Sequence, residues 1–267
     1  MSTYVISDVH GCYDELMKML ELINFSEEDK LIIAGDYIDR GPQNLEMLRL
    51  IENTPSNVIL LRGNHDEEFA YCIDLMAVMF QDKKLPLDDV DTTKKVYMLL
   101  QELSARNTRL GSFDYYGTIK RLIWNNNISM EQLDKWNDCI RQMPFVYKEQ
   151  IGERTLVVVH GGYVDSFETL NNLETEESYE SLEDFYLYAR DDAYMYGGIN
   201  DGIVVAGHTP TVLDEEFTYN DGKVYRFYDE KMNCILYDID CGCAYRPHLP
   251  NARLACIRVE DEKIFYV

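Results

Sequence analysis

The first third of the chain repeats one unit three times: a short apolar run, a polar cluster and a helical pattern. The apolar runs predict strands at residues 4–7, 31–34 and 58–61, and the helical patterns begin near residues 13, 43 and 66. Units of this kind place their strands in parallel and cover the sheet with helices. We therefore expect the three polar clusters to meet at the carboxyl-terminal edge of one sheet, where such folds bind ligands.

The polar clusters carry side chains that bind metal ions. Two later apolar runs, at 156–159 and 203–206, also end in such residues. Together the five strand ends present Asp8, His10, Asp36, Asn64, His160 and His208. Mixed carboxylate, amide and imidazole donors favour Mn, Fe or Zn over the all-oxygen sites of Mg or Ca. Two such cations, roughly 3.5–4 Å apart, stabilise in-line displacement at phosphorus, so the sequence predicts a two-metal phosphoesterase.

Charge limits the partners of this chain. Its 267 residues include 48 acidic and 25 basic ones, which gives a formal net charge of −23. Such a surface repels nucleic acid and anionic membranes, so neither is expected as a partner. A phosphate-bearing substrate then needs local positive charge, which two divalent cations and one or two arginines would supply. No linker or repeat divides the chain, and one domain spanning residues 1–267 is the predicted partition.

Cysteine usage and the amino-terminal sequence predict the compartment. The 7 cysteines form no CxxC pair, and their odd number excludes a complete disulfide framework. The longest apolar runs are far too short to cross a bilayer. The first predicted strand follows almost directly on Met1 and leaves no room for a signal peptide. We expect a cytoplasmic protein, whose oligomeric state the sequence does not indicate.

The remainder of the chain divides into a helical segment and a strand-rich half. Residues from about 67 to 143 lack strand-like alternation and are predicted as a helical insert after the third strand. Beyond Pro144, strands are predicted at 145–149, 155–159, 203–206, 224–228, 235–239, 254–259 and 264–267. Parallel strands early and hairpin strands late predict two mixed sheets packed together. The expected fold is α/β, a four-layer α/β/β/α sandwich.

Two local patterns lie in the second half. Asn220-Asp221-Gly222 is typical of a hairpin turn. Residues 174–192 are rich in acidic side chains and tyrosine, which predicts a solvated acidic helix. A substrate-docking surface is the alternative interpretation of that segment.

Five sequence blocks occur in order, each directly after a predicted strand. They are Asp8-x-His10-Gly11, Gly35-Asp36-x-x-Asp39-Arg40-Gly41, Gly63-Asn64-His65-Asp66, His160-Gly161 and Gly207-His208-Thr209. In this order they resemble the signature blocks of phosphoprotein phosphatases, a branch of the calcineurin-like metallophosphoesterases, in the short form of bacterial and phage members. The resemblance covers roughly residues 1–70 and 155–210, and four of the 5 histidines lie inside it.

The resemblance implies two metal ions, with manganese expected first and iron or zinc as alternatives. The first ion would be held by Asp8 and His10. The second would be held by Asn64, His160 and His208, and Asp36 would bridge the two ions. A water shared by the two cations would be acidified to hydroxide and attack phosphorus in line. A single histidine at a strand end is more often structural, but the ordered set reverses that expectation.

The same resemblance assigns roles to residues that do not bind metal. His65 follows the ligand Asn64 and resembles the general acid that protonates the leaving group, while Asp39 would orient and charge its imidazole. A surface salt bridge is the alternative role of Asp39. Arg40 is suited to binding two phosphoryl oxygens. The family has a second phosphate-binding arginine between its last two histidines, where Arg190 is the only arginine.

The predicted function is a metal-dependent phosphomonoester hydrolase, a serine/threonine protein phosphatase acting on a phosphorylated protein or a small phosphoester. The alternative is a symmetrical diadenosine tetraphosphate hydrolase, because the block that opens with Asp8 resembles those enzymes as well, and Asp66 stands where many protein phosphatases have glutamate. Asp39 favours the phosphatase, since the tetraphosphate hydrolases often lack it. A non-catalytic metal-binding scaffold is a third hypothesis, although such relatives lose ligands or the acid and this chain keeps them.

Overall fold

The computed structural model describes residues 1–107, 110–111, 113–175 and 177–267. The first half contains β1 (Thr3–Ile6), α1 (Tyr13–Leu22), β2 (Lys30–Ile33), α2 (Asn44–Glu52), β3 (Val58–Leu60), α3 (Asn64–Lys83), α4 (Val90–Arg106), α5 (Thr118–Asn125) and α6 (Met130–Arg141). The second half contains β4 (Val146–Ile151), β5 (Arg154–Val159), α7 (Phe167–Asn171), α8 (Leu182–Tyr188), α9 (Asp191–Tyr196), β6 (Gly202–Ala206), β7 (Tyr225–Asp229), β8 (Cys234–Asp238), β9 (Ala255–Arg258) and β10 (Lys263–Tyr266). Every predicted strand is present, within two residues of its expected bounds.

The strands form two five-stranded sheets. The first has the order β10-β9-β1-β2-β3 and the second the order β4-β5-β6-β8-β7. In the first sheet β1, β2 and β3 are parallel, while β9 runs antiparallel to β1 and to β10. In the second sheet β5, β6 and β8 are parallel, and the edge strands β4 and β7 are antiparallel to their neighbours. Both sheets are therefore mixed, as predicted.

Three apolar clusters separate four layers. Between the sheets, Val5 and Ile32 of the first pack with Val158 of the second. A larger cluster that includes Trp136 lies between the first sheet and the helices from α1 to α6. A third cluster around Phe185 joins the second sheet to α7, α8 and α9. Because the central strands are buried on both faces, they are nearly continuous apolar runs, whereas the edge strands β4, β7 and β10 carry polar, partly exposed residues. The four-layer sandwich is confirmed.

The predicted helical insert corresponds to α3 through α6, between β3 and β4, and its described residues contain no strand. The first helix of the insert is tied to the last by ion pairs, since Arg141 contacts Glu67 and Asp74 at 2.5 Å each. Arg62, just before α3, donates from Nε to the Ile140 carbonyl at 3.1 Å. None of the helices in the described part of the chain has the length and apolar character to cross a membrane.

The two local predictions for the second half are wrong. The Asn220 turn precedes β7 rather than joining two strands, and the β7–β8 hairpin turns at residues 230–233. Asp229 builds that turn, because its carboxylate accepts from the backbone N–H of Lys231 at 2.7 Å and of Met232 at 3.1 Å. The described residues between 174 and 192, which leave out 176, do not form one solvated helix either. They contain α8 and the start of α9, and Phe185 is buried, so apolar packing divides the segment.

Candidate active site

Four of the predicted ligands lie on unusual backbone. The φ angles are +49° at Asp8, +45° at His10, +55° at Asp36 and +70° at His208. Side-chain-bearing residues seldom adopt this left-handed region, and such strain persists only where surrounding contacts hold it. One of those contacts is the backbone hydrogen bond from His10 N–H to the Asp36 carbonyl at 2.8 Å. The turns aim the polar side chains away from the strands and into one shared space.

Two of the histidines are held in the form that binds metal. The Nδ1 atoms of His10 and His160 lie 2.8 Å from the carbonyl oxygens of Ile38 and Ala34. A carbonyl only accepts hydrogen bonds, so each Nδ1 carries the proton and each Nε2 keeps its lone pair. Nε2 of His10 is buried and has no hydrogen-bond partner among the described residues. An orphaned acceptor of this kind fits a metal ligand.

Asp36 lies at the centre of the predicted ligands. One of its carboxylate oxygens lies 3.3 Å from Nε2 of His10, and the other lies 3.5 Å from Nε2 of His160. The donor atoms of His10, Asp36 and His65 lie within 4.8 Å of one another, and so do those of Asp36, His160 and His208. Asp36 alone belongs to both groups. This arrangement fits two cations that share one carboxylate.

Asn64 and Asp8 complete the set. Nε2 of His160 faces Oδ1 of Asn64 at 2.9 Å, which brings two lone pairs together and suits a cation bound by both. Asp8 lies 3.9 Å from Nε2 of His10, and its second oxygen accepts from the His208 N–H at 3.0 Å. The structure thus brings all six predicted ligands together. It also brings His65, predicted as a non-ligand, within reach of His10 and Asp36.

Burial sets the protonation of these groups. It lowers the pKa of His10 well below its usual value, with a further contribution from Arg40. It does the same for His208, helped by His160 and Arg190. Both imidazoles are therefore neutral near pH 7, as metal ligation requires. Burial opposes the charge of Asp36, but the neighbouring histidines, led by His160, lower the pKa of this carboxyl below its usual range.

The predicted acid forms the expected dyad. Nδ1 of His65 lies 2.8 Å from Oδ2 of Asp39, and Nε2 accepts from Nη2 of Arg40 at 3.2 Å. Burial acts to lower the pKa of His65, but the carboxylates of Asp36 and Asp39 outweigh it and the pKa is raised. Asp39 is buried, so it does not form a surface salt bridge. Asp39 therefore orients the ring through Nδ1, and Nε2 faces Arg40.

A threonine from the insert extends this dyad. Thr118, at the start of α5, donates from Oγ1 to Oδ1 of Asp39 at 2.5 Å and accepts from Nη2 of Arg121 at 3.0 Å. Thr118 is 1% exposed. No local sequence pattern marks this residue, because it is 79 positions from Asp39.

Arg40 is flanked by two aromatic rings that sequence analysis also missed. Its guanidinium carbon lies 5.8 Å from the ring centre of Tyr116 and 5.6 Å from that of Tyr245. Burial opposes its charge, but Tyr245 and Asp36 raise its pKa. The rings hold the planar cation at the edge of the metal-ligand set. Arg40 therefore lies beside the predicted ligands, and its phosphate-binding role stays a prediction.

Arg190 lies on the other side of the site. It stands at the amino-terminal end of α9, and Nη1 donates to the carbonyl of His208 at 3.0 Å. The guanidinium also lines a small groove with the acidic residues Glu177 and Glu216. Its phosphate-binding role stays a prediction.

Asp66 holds two of the blocks together. Its buried carboxylate accepts from the backbone N–H of Gly63 at 2.9 Å, of Asp36 at 2.8 Å and of Tyr37 at 3.2 Å. A Cβ on Gly63 would lie 2.3 Å from the Asp36 nitrogen, so only glycine permits this close approach. The start of α3 and the Asp36 turn are thereby fixed to each other. The sequence showed Asp66 only as a departure from the family pattern.

Comparison with known proteins places these features in a family. The model of the calcineurin-like phosphoesterases matches residues 1–241. The symmetrical bis(5'-nucleosyl)-tetraphosphatase of Wigglesworthia glossinidia brevipalpis is 37% identical over 300 residues, covering 100% of this chain and 98% of that relative.

The fold is shared with proteins of both expected activities. A solved structure described as a candidate diadenosine tetraphosphatase matches 99% of this chain and 92% of its own length, with a TM-score of 0.53 and 19% identity. A protein serine/threonine phosphatase of Saccharomyces cerevisiae matches 100% of this chain and 79% of its own length, with a TM-score of 0.53 and 13% identity. At these identities the likeness concerns the fold alone and does not separate the two activities. The family match, the full-length relative and the assembled ligand set agree that this chain belongs to the calcineurin-like phosphoesterase family and is a metal-dependent enzyme that hydrolyses phosphoesters.

Proposed function

We propose that the enzyme hydrolyses dinucleoside tetraphosphates symmetrically and releases two nucleoside diphosphates. The observation that carries this proposal is the similarity, over essentially the whole of both chains, to a symmetrical bis(5'-nucleosyl)-tetraphosphatase. The site is compatible with it, because two bound divalent cations and Arg40 would concentrate positive charge in an otherwise acidic protein. The alternative from the sequence analysis is thus better supported than the protein phosphatase that was predicted first.

The ligand set would hold two divalent cations, the first on Asp8 and His10, the second on Asn64, His160 and His208, with Asp36 shared. When bound, they supply Lewis-acid stabilisation of charge at the phosphoryl group. Manganese is the cation we propose, because carboxylate, amide and imidazole donors are mixed here. Neutral His10 and His208 keep the total charge of the site positive enough to attract a polyphosphate.

The residues beside the ligands bind the phosphoryl group and move the proton. Arg40 donates to the phosphoryl oxygens. His65 holds a proton on Nε2 for the oxygen of the departing diphosphate, since Nδ1 is committed to Asp39. Nε2 accepts from the Arg40 guanidinium at 3.2 Å when His65 is neutral, and when His65 is protonated the two groups become neighbouring donors. A leaving-group oxygen that accepts from both His65 and Arg40 would therefore be bound next to the proton that it needs.

A phosphomonoesterase acting on phosphoserine or phosphothreonine is the second candidate. The Asp39–His65 dyad favours it, because an alkoxide leaves poorly without a proton, whereas a nucleoside diphosphate is the better leaving group. The dyad is compatible with both reactions, so substrate comparison must decide between them.

A substrate panel with manganese tests the proposal. Diadenosine tetraphosphate, phosphoserine and phosphothreonine peptides, a phosphotyrosine peptide and a bis-aryl phosphodiester are compared by kcat/KM, and the nucleotide products are separated. We expect the tetraphosphate to be the best substrate and ADP the only product. Chelation should abolish turnover, and added manganese should restore it. Release of ATP and AMP, or a higher kcat/KM on a phosphopeptide, would contradict the proposal.

A further inference from the structure

A cavity of about 200 Å³ opens beside the proton-donating end of the site. Asn64 and His65 form its inner border. The rest of its lining comes from α3 and from the segment before α5, and includes Glu68, Cys72, Asp114, Tyr115 and Tyr116. We call this cavity the α3 pocket. It is too small for a whole dinucleotide and has the size of a single ring system with its sugar. Because it borders His65, it lies on the side from which the leaving group departs.

The pocket offers aromatic faces. The Tyr116 ring centre lies 4.8 Å from that of His65, which places this tyrosine between the pocket and the site. Tyr115 meets Tyr116 edge to face at 4.9 Å, and its own ring is 76% exposed. An exposed tyrosine held by a neighbouring ring is a ready surface for stacking a planar base.

The polar groups of the pocket are mostly acceptors. Glu68 and Asp114 contribute carboxylates, and no lysine or arginine is among its described lining residues. No ion pair or hydrogen bond joins the Glu68 carboxylate to another residue of the described chain. Asp114 is half-buried, and one oxygen of its carboxylate already accepts from the Tyr97 hydroxyl at 3.0 Å and the Lys120 N–H at 2.9 Å, whereas Glu68 is exposed. Carboxylates of this kind accept hydrogen bonds from ribose hydroxyls, as acidic residues do in dinucleotide-binding folds.

The distance of the pocket residues from His65 along α3 fits a nucleoside diphosphate as the leaving group. Glu68 is one turn from His65, and Cys72 is two turns from it, so the pocket extends roughly 10 Å from the acid. A group leaving past His65 would therefore place its phosphates near Arg40 and its sugar beside Glu68. We propose that the α3 pocket binds the nucleoside of the departing nucleoside diphosphate, with the base stacked on Tyr115 and the ribose bonded to Glu68. This inference rests on the proposed function and names the part of the substrate that the insert recognises.

Inhibition by ADP and by inorganic pyrophosphate tests the pocket. Both carry a diphosphate, but only ADP carries a nucleoside. The inhibition constant of pyrophosphate divided by that of ADP therefore measures the contribution of the nucleoside to binding. Each is measured against nitrophenyl phosphate hydrolysis by the full chain with manganese at a fixed free concentration. We expect ADP to bind about tenfold or more tightly than pyrophosphate, as stacking on one aromatic ring provides. Tyr115→Ala should bring the ratio close to one, and Glu68→Gln should lower it severalfold.

Tyr71→Ala is the matched control, because Tyr71 is an exposed tyrosine of α3 that does not line the pocket. It should keep the ratio of the unmodified enzyme. A ratio near one in the unmodified enzyme, or a high ratio that survives both pocket variants, would overturn the inference. Cleavage of diadenosine tetraphosphate is scored separately. If the enzyme cleaves diadenosine tetraphosphate but the pocket variants do not change the ratio of inhibition constants, only the assignment of the pocket is wrong. If the variants change the ratio but the tetraphosphate is not cleaved, the proposed function is wrong and the pocket remains a nucleoside-binding site.

Discussion

The site has a floor and a wall that are built in different ways. The floor is the set of six predicted metal ligands at the strand ends of both sheets, nearly all of it buried. The wall is the start of the second half of the insert, Tyr115 to Thr118, which contacts His65, Asp39 and Arg40. The floor determines the charge available for phosphoryl chemistry. If His65 donates the proton, as proposed, the wall orients that donor and borders the leaving group.

The largest effect across all substrates is expected in the floor, where a substitution should remove metal as well as activity. Asp36→Asn should lower kcat/KM by more than about 10²-fold, beyond the 10–100-fold typical of residues that only support ligands. The reason is that one carboxylate approaches both histidine groups. Metal content measured after dialysis should fall with activity. Asp8→Asn is the comparison, since Asp8 belongs to one side only, and an equal or greater loss in that variant would show that Asp36 is not shared.

His65→Ala tests the point where floor and wall meet. On a phosphoserine peptide it should cost about 10²–10⁴-fold in kcat, because an alkoxide needs the proton. On nitrophenyl phosphate, whose leaving group needs none, the loss should be much smaller, and metal content should be unchanged. Equal losses on both substrates with both metals bound would assign His65 to phosphate binding or to the nucleophile.

The pH dependence of activity tests the role of His65 in a second way. The carboxylates of Asp36 and Asp39 raise the pKa of His65, and the acid works only when protonated. Activity on the alkyl phosphate is therefore present below that pKa and is lost as the pH rises through it. His65→Ala should lack this alkaline limb, and an unchanged limb would assign it to another group.

The smallest effect is expected in the wall. Thr118→Val should lower kcat by about tenfold with metal content unchanged, because Asp39 loses the donor that orients it. Thr118→Ser should restore most of the activity, since it returns the hydroxyl. Thr93→Val is the matched control: Thr93 is an equally buried threonine of the insert, but its hydroxyl binds the backbone of Asp89 and Met130. If Thr93→Val lowers kcat as much as Thr118→Val does, the loss in Thr118→Val comes from a less stable insert and not from the contact with Asp39.

Much of the fold followed from local patterns. Strands buried on both faces are short apolar runs, and each was found within two residues of its predicted bounds. The turn at Asn220 and the segment 174–192 were misjudged because a turn motif does not say which strands it joins, and acidic composition does not show that Phe185 is buried.

The ligands of the floor were readable because each follows a strand directly in sequence, and parallel strands bring their ends to one edge. The sequence was less able to choose the substrate. Asp39 favoured a protein phosphatase, whereas the full-length relative favours the tetraphosphatase, and a shared fold does not decide between the two activities.

The sequence by itself thus determined the strands, the order of the ligand blocks and the class of chemistry. Tertiary structure alone decided that Thr118 supports Asp39, that Tyr116 and Tyr245 flank Arg40, and that Asp66 joins two turns. The physical reason is distance along the chain. A ligand adjacent to a strand is positioned by that strand, whereas a contact such as Thr118 to Asp39 exists only after the insert has packed on the first sheet, and no local pattern encodes that packing.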